Sequence, residues 1–180
     1  MGGIGGARLG NPFGGNTRST VIGAVAGSAL GYAVAWGHCL SHYSNLSSFP
    51  VADAQQTAQQ VGWQPARGNE VKIQNFAISP REVRPGGGVD LGGSYYVMGP
   101  AGTRDVKVTE TRTVHFYDPG EKQWKELGSV DQNVTAALGT RRAEGRFDLP
   151  ADVPEGRYRV SLKVAALGRT RCTSRSTSLK

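Results

Sequence analysis

Cysteine, histidine and methionine are scarce in this chain of 180 residues, which has two, three and two of them respectively. Two cysteines, Cys39 and Cys172, exclude a disulfide-dense mini-protein and any Cys-x-x-Cys metal site. They could pair only across most of the chain. Three histidines, His38, His42 and His115, leave too few ligands for a histidine-rich metal centre. His38 and His42 have helical spacing around Cys39, but a third ligand is missing, and they read as polar residues beside an apolar segment. No Gly-x-Ser-x-Gly elbow and no phosphate loop occurs, because Gly86, Gly87 and Gly88 are followed by neither lysine nor a helical pattern. Asp148, Asp152 and Glu155 surround a turn at spacings unlike those of an EF-hand loop. The sequence therefore implies no enzyme, no cofactor and no metal.

Negative charge is missing from two regions. Residues 1–50 hold Arg8 and Arg18 and no Asp or Glu, and no acidic residue follows Glu155. Arg157, Arg159, Lys163, Arg169, Arg171, Arg175 and Lys180 fill that last stretch and account for much of the formal net charge of +7. Six of them, Arg157 to Arg175, are a candidate face for an anionic ligand. The competing reading is a solvated basic edge that discourages strand-to-strand aggregation. Apart from Tyr158, which the alternation turns to the opposite side of its strand, no aromatic residue lies among these cations, so no nucleic-acid partner is expected. A small-molecule substrate is not expected either.

Glycine is abundant, with 26 residues, and its placement divides the chain. Residues 1–20 form a Gly-rich leader. Residues 21–37 carry no charge and no proline, at the short limit of the roughly 17–25 apolar residues that span a bilayer as a helix. Gly23, Gly27, Gly31 and Ala35 recur every fourth position and so share one helical face. Such a groove lets a second backbone approach closely, which is how helices associate in lipid. The basic residues precede the run, so the positive-inside rule puts the chain beyond residue 37 outside the cytoplasm. Two other readings stay open: a cleaved signal peptide ending near Ala33-Val34-Ala35, and a small-residue helix buried in a soluble assembly.

The Gly23/Gly27/Gly31 repeat resembles the glycine-zipper segment of bacterial envelope proteins of the 17-kDa surface-antigen type. That resemblance covers only about residues 20–37. It implies an anchored envelope protein that associates with itself or with other envelope proteins. Those families often carry two zipper arms; this chain has one, which favours association between chains.

Residues 38–70 read as a polar connector containing a short helix over 51–61, started by Pro50 and stopped by Gly62. From residue 71 the signals become strands and turns. Apolar residues at 71 and 73, then 76 and 78, imply a bulge near Gln74 and Asn75. Further strands are expected over 89–97 and 106–117, around Trp124, Leu127 and Val130, and over 146–149, 157–164 and 171–178. In the strand over 106–117, Glu110 and Arg112 share the parity of Val108 and Val114, so that face is expected to be exposed or to pass between sheets at this point. The clearest alternation places Tyr158, Val160, Leu162 and Val164 on one side of a strand. The turn before it, Pro154-Glu155-Gly156 leading to Tyr158, resembles the entry to a late strand of bacterial immunoglobulin-like and fibronectin-like domains. About seven strands over residues 71–180 imply a mainly β, immunoglobulin-like antiparallel sandwich; a barrel would give the same patterns. The whole reads as a non-enzymatic structural or assembly protein of the cell envelope, the alternatives being a module binding an anionic envelope polymer or a periplasmic or secreted β-domain.

Overall fold

Alternation of apolar and polar residues drives most of the chain into strands. The computed structural model describes residues 17–20, 43–149, 151 and 155–179. In chain order its elements are β1 (Thr17–Thr20), β2 (Tyr43–Asp53), α1 (Ala54–Val61), β3 (Glu70–Ser79), β4 (Glu82–Val83), β5 (Gly88–Met98), β6 (Val106–Asp118), β7 (Gln123–Ala136), β8 (Gly139–Asp148), β9 (Gly156–Ala166) and β10 (Arg169–Leu179). They form two sheets. The first has the order β1-β7-β6-β9-β10-β4 and the second the order β2-β8-β5-β3. Every pairing is antiparallel except that of β10 with β4.

This is an immunoglobulin-like β-sandwich. Strands β3, β5 and β8 take the places of A, B and E, while β6, β9 and β10 take those of C, F and G. β7 lies where the C′ strand of variable-type domains lies. The place of strand D, beside E, is filled by β2, which precedes all the others of its sheet in sequence. Inward residues of both sheets close the core. Val89, Leu91, Tyr95 and Phe147 from one meet Val114, Val160, Leu162 and Val164 from the other, all 4 % exposed or less. Each such side chain contributes about 1.5–3 kcal/mol by leaving water.

All seven strands expected beyond residue 71 are present, including the register shift between Ile73 and Asn75. The β-domain starts earlier than expected, however. Residues 43–53, assigned to a connector, form β2 and pair along β8. Two register shifts, at Ser44/Ser47 and Pro50/Ala52, break its period of two, so no alternation marks it in the sequence. Pro50 is tolerated because β2 is an edge strand. The helix accordingly begins at Ala54, not beside Pro50. Asp53 caps it by accepting from the Gln56 amide, and Gly62 ends it in the left-handed conformation. Thr57 holds it to β8 by a buried hydroxyl contact of 2.8 Å with Thr140.

Glu110 and Arg112 are neither exposed nor at a crossing between sheets. They lie buried in the core, facing the second sheet. Glu110 accepts hydrogen bonds from the hydroxyls of Tyr95 (2.6 Å) and Ser48 (2.5 Å) and pairs with Arg112 at 3.1 Å. Arg112 also donates to the Gln132 side chain at 3.2 Å. These partners satisfy two charges that burial alone would strongly destabilise.

Candidate binding face

On β9 the core takes the even-numbered residues, so Arg157, Arg159, Ser161 and Lys163 point outward from the first sheet. Their neighbours on β6 are Thr113 beside Ser161 and His115 beside Arg159. On β10 they are Ser176 beside Arg159, Ser174 beside Ser161 and Cys172 beside Lys163. The outer face is thus a row of cations bordered by hydroxyls.

Two aromatic residues complete it. Tyr117 and Trp124 face each other across the β6–β7 hairpin, edge to face, with ring centroids 5.3 Å apart. The hairpin turn holds them there. The Asp118 carboxylate accepts from the amides of Gly120 (2.8 Å) and Glu121 (3.2 Å) and pairs with Lys125 at 2.6 Å. The hydrogen bond from Lys125, with those amides, holds the Asp118 carboxyl below its ordinary range. The Arg157 guanidinium lies 4.0 Å from the Tyr117 ring centroid and 5.9 Å from that of Trp124; Arg159 lies 4.3 Å from Trp124. Rings and guanidiniums interleave. Stacking fixes each guanidinium plane while leaving its N–H groups to seek other acceptors.

His115 sits against this stack, half-buried, with its Nε2 atom 4.0 Å from Glu126. Burial first, and the charge of Arg159 second, push its imidazole below the ordinary range, so it is neutral at neutral pH. Its Nδ1 atom and the Nε atom of Arg159 are buried with no hydrogen-bond partner among the described residues.

The second sheet shows a contrast. Its outer groove, about 410 Å³, is lined by Asp90, Gly92, Arg142, Glu144 and Arg146 among others. There each arginine is neutralised: Arg146 pairs with Asp148 at 2.7 Å and with Asp90 at 3.2 Å, and Arg142 pairs with Glu144. Arg157, Arg159 and Lys163 make no ion pair among the described residues.

The six basic residues expected to share one face divide into two groups. Arg169, Arg171 and Arg175 stand opposite Ala166, Val164 and Val160, whose side chains point into the core. Opposed residues of an antiparallel pair point to the same side. These three arginines therefore leave β10 on its core-facing side and emerge at the exposed rim of the sandwich. Gly23, Gly27, Gly31 and Ala35 lie outside the described residues, as do His38, Cys39 and His42. Cys172 is exposed on the outer face. The sequence alone assigns Tyr117 and Trp124 no functional role. Their signal was present, since they flank Asp118-Pro119-Gly120 at positions that a hairpin brings together. Among the described residues no helix is long and apolar enough to cross a membrane, and no group of three or more His, Cys, Asp or Glu residues is placed to hold a metal ion.

The fold and this face together describe an immunoglobulin-like domain with a cationic, aromatic-backed sheet surface. No family model and no curated protein matches the chain. Solved structures resemble it distantly. An alkylpurine DNA glycosylase, AlkC, from Pseudomonas fluorescens, bound to DNA containing an abasic site analog, is 14% identical with a TM-score of 0.43; the match covers 71% of this chain and 37% of that one. The sporulation control protein Spo0M of Bacillus subtilis is 16% identical with a TM-score of 0.38, over 61% and 49% of the two chains. A CARDB domain from Pyrococcus furiosus, in complex with di-metal ions, is 12% identical with a TM-score of 0.39, over 62% and 94%.

Proposed function

We propose that this chain is a non-catalytic interaction protein of the cell envelope, whose β-sandwich engages an anionic polymer or acidic protein surface through the outer face of its first sheet. The observation that carries the reading is the interleaved stack of Tyr117, Arg157, Trp124 and Arg159, with Lys163 further along the same strand. Guanidiniums already held by rings lose little side-chain freedom when an anion binds, which favours affinity. Hydroxyls of Ser161, Ser174 and Ser176 border them and can donate to the same ligand. The anchoring and self-assembly parts of the reading rest on the sequence of residues 21–37, with Gly23, Gly27, Gly31 and Ala35 as the helix-packing face.

The test is retention of the full chain on immobilised heparin, a sulfated polysaccharide, against a salt gradient. Wild type is expected to bind and to elute with salt, since exposed charges are screened. Arg157→Gln/Arg159→Gln is expected to bind at least about tenfold more weakly, as charge-assisted hydrogen bonds contribute roughly 1.5–3 kcal/mol each. Equal retention of the two proteins would overturn the reading.

A further inference from the structure

One edge of the first sheet is open along most of its length. β10 pairs with β9 throughout, from Arg169 to Leu179, without a register shift. On its other side β4 pairs only with Ser178 and Leu179. The Ser178 amide donates to the Arg81 carbonyl at 2.8 Å, away from β9. In an unbroken strand, alternate residues turn their peptide groups the same way. Thr170, Cys172, Ser174 and Ser176 therefore direct their N–H and C=O groups to the edge. None of these groups has a main-chain partner among the described residues. Residues 169–172, Arg175 and Ser176 are exposed. The opposite edge of the same sheet is already covered, because β1 adds to β7 over Ser129 to Gln132.

Two arginines occupy part of the open edge. Arg171 donates to the Thr170 carbonyl at 3.2 Å, and Arg175 to the Ser174 carbonyl at 3.1 Å. Both carbonyls belong to edge-facing peptides. With Arg169 these guanidiniums also oppose pairing of two copies edge to edge, since like charges would meet across the new ladder. A strand bearing carboxylates meets the opposite situation: its side chains draw the guanidiniums off the carbonyls, and its main chain takes their place.

We infer that the β10 edge at residues 170–176 is a strand-addition site for an extended, acidic peptide segment. Main-chain hydrogen bonds to Thr170, Cys172, Ser174 and Ser176 hold the peptide, and Arg169, Arg171 and Arg175 select its charge. The site uses the main chain of Ser174 and Ser176, whose hydroxyls border the outer-face stack, and stands or falls independently of that stack.

The test uses the full chain and a synthetic ten-residue peptide of alternating glutamate and valine. Ser174→Pro removes an edge-facing N–H and spares the β9 ladder, because proline is tolerated where the missing N–H faces outward. This variant is expected to bind the peptide at least tenfold more weakly than wild type. Hydrogen exchange on the wild-type chain gives a second reading that needs no variant. The amides of Cys172 and Ser174 are expected to gain protection when the peptide is added, and Arg157→Gln/Arg159→Gln is expected to keep that protection. Unchanged exchange at those amides, or equal binding by a folded Ser174→Pro, would overturn the inference. Peptide binding that is lost only in Arg157→Gln/Arg159→Gln would also overturn it, while leaving the outer-face reading intact.

Discussion

The carboxylate of Glu110 and the guanidinium of Arg112 meet at 3.1 Å between the two sheets, both side chains 1 % exposed or less. They are two residues apart on β6, so both point inward, and the surrounding groups are matched to them. Tyr95 and Ser48 donate to Glu110, while Arg141 donates to Ser48 through its Nε atom (3.3 Å) and to the Ser48 carbonyl (2.9 Å). Burial, and then the Glu110 charge, push the Tyr95 hydroxyl well above the ordinary phenol range, so it stays a donor. The network links β2 and β8 of one sheet to β6 of the other.

Removing one member strands the rest. Arg112→Met is expected to destabilise the fold by about 3–5 kcal/mol in urea unfolding, the usual cost of leaving a buried charge without its partner. Glu110→Leu/Arg112→Met removes both charges, so it is expected to cost less than the sum of the single changes. An additive double variant would show that the pair is not coupled.

The junction of β2 and β8 has a second determinant. Gly139 adopts φ +136, and a Cβ there would lie 2.3 Å from the Ala52 carbonyl oxygen and 2.9 Å from the Asp53 carbonyl carbon. Main chain cannot yield as a flexible side chain does. Gly139→Ala is expected to cost about 2 kcal/mol or more and to raise hydrogen exchange in residues 43–53 more than elsewhere. Unchanged exchange there would contradict this role.

His115 makes stability depend on pH. Its folded imidazole titrates below the ordinary value because burial and the Arg159 charge disfavour the cation, outweighing Glu126. The unfolded chain therefore takes up the proton first. Stability is full above about pH 6.5 and falls as pH drops from there toward the folded value. His115→Gln is expected to flatten the unfolding profile between pH 7 and 5. An unchanged slope would assign the dependence to other groups.

Most of the sandwich was legible because its strands obey a period of two. Tyr158, Val160, Leu162 and Val164 are all buried, and the Gln74/Asn75 parity change is a real register shift. β2 was illegible because its bulges change parity twice within eleven residues and it exposes Phe49 and Val51 to solvent. The site was half legible. Composition locates the basic stretch, but only the β9–β10 register divides it into an outer row and a rim. Glu110 and Arg112 misled because charge on a core parity reads as exposure unless long-range partners such as Ser48 are known.

In detergent, the full chain is expected to form oligomers whose size depends on concentration, and Gly27→Leu is expected to abolish them by filling the groove of the shared helical face. Oligomers unaffected by Gly27→Leu would remove self-assembly from the account.

Anion binding at the outer face can be followed residue by residue from the amide chemical shifts of the labelled chain titrated with a heparin oligosaccharide. Shifts are expected to concentrate on residues 113–117, 124–126 and 157–163 and to be reversed by salt. Shifts confined to the second sheet, or none up to millimolar ligand, would contradict it.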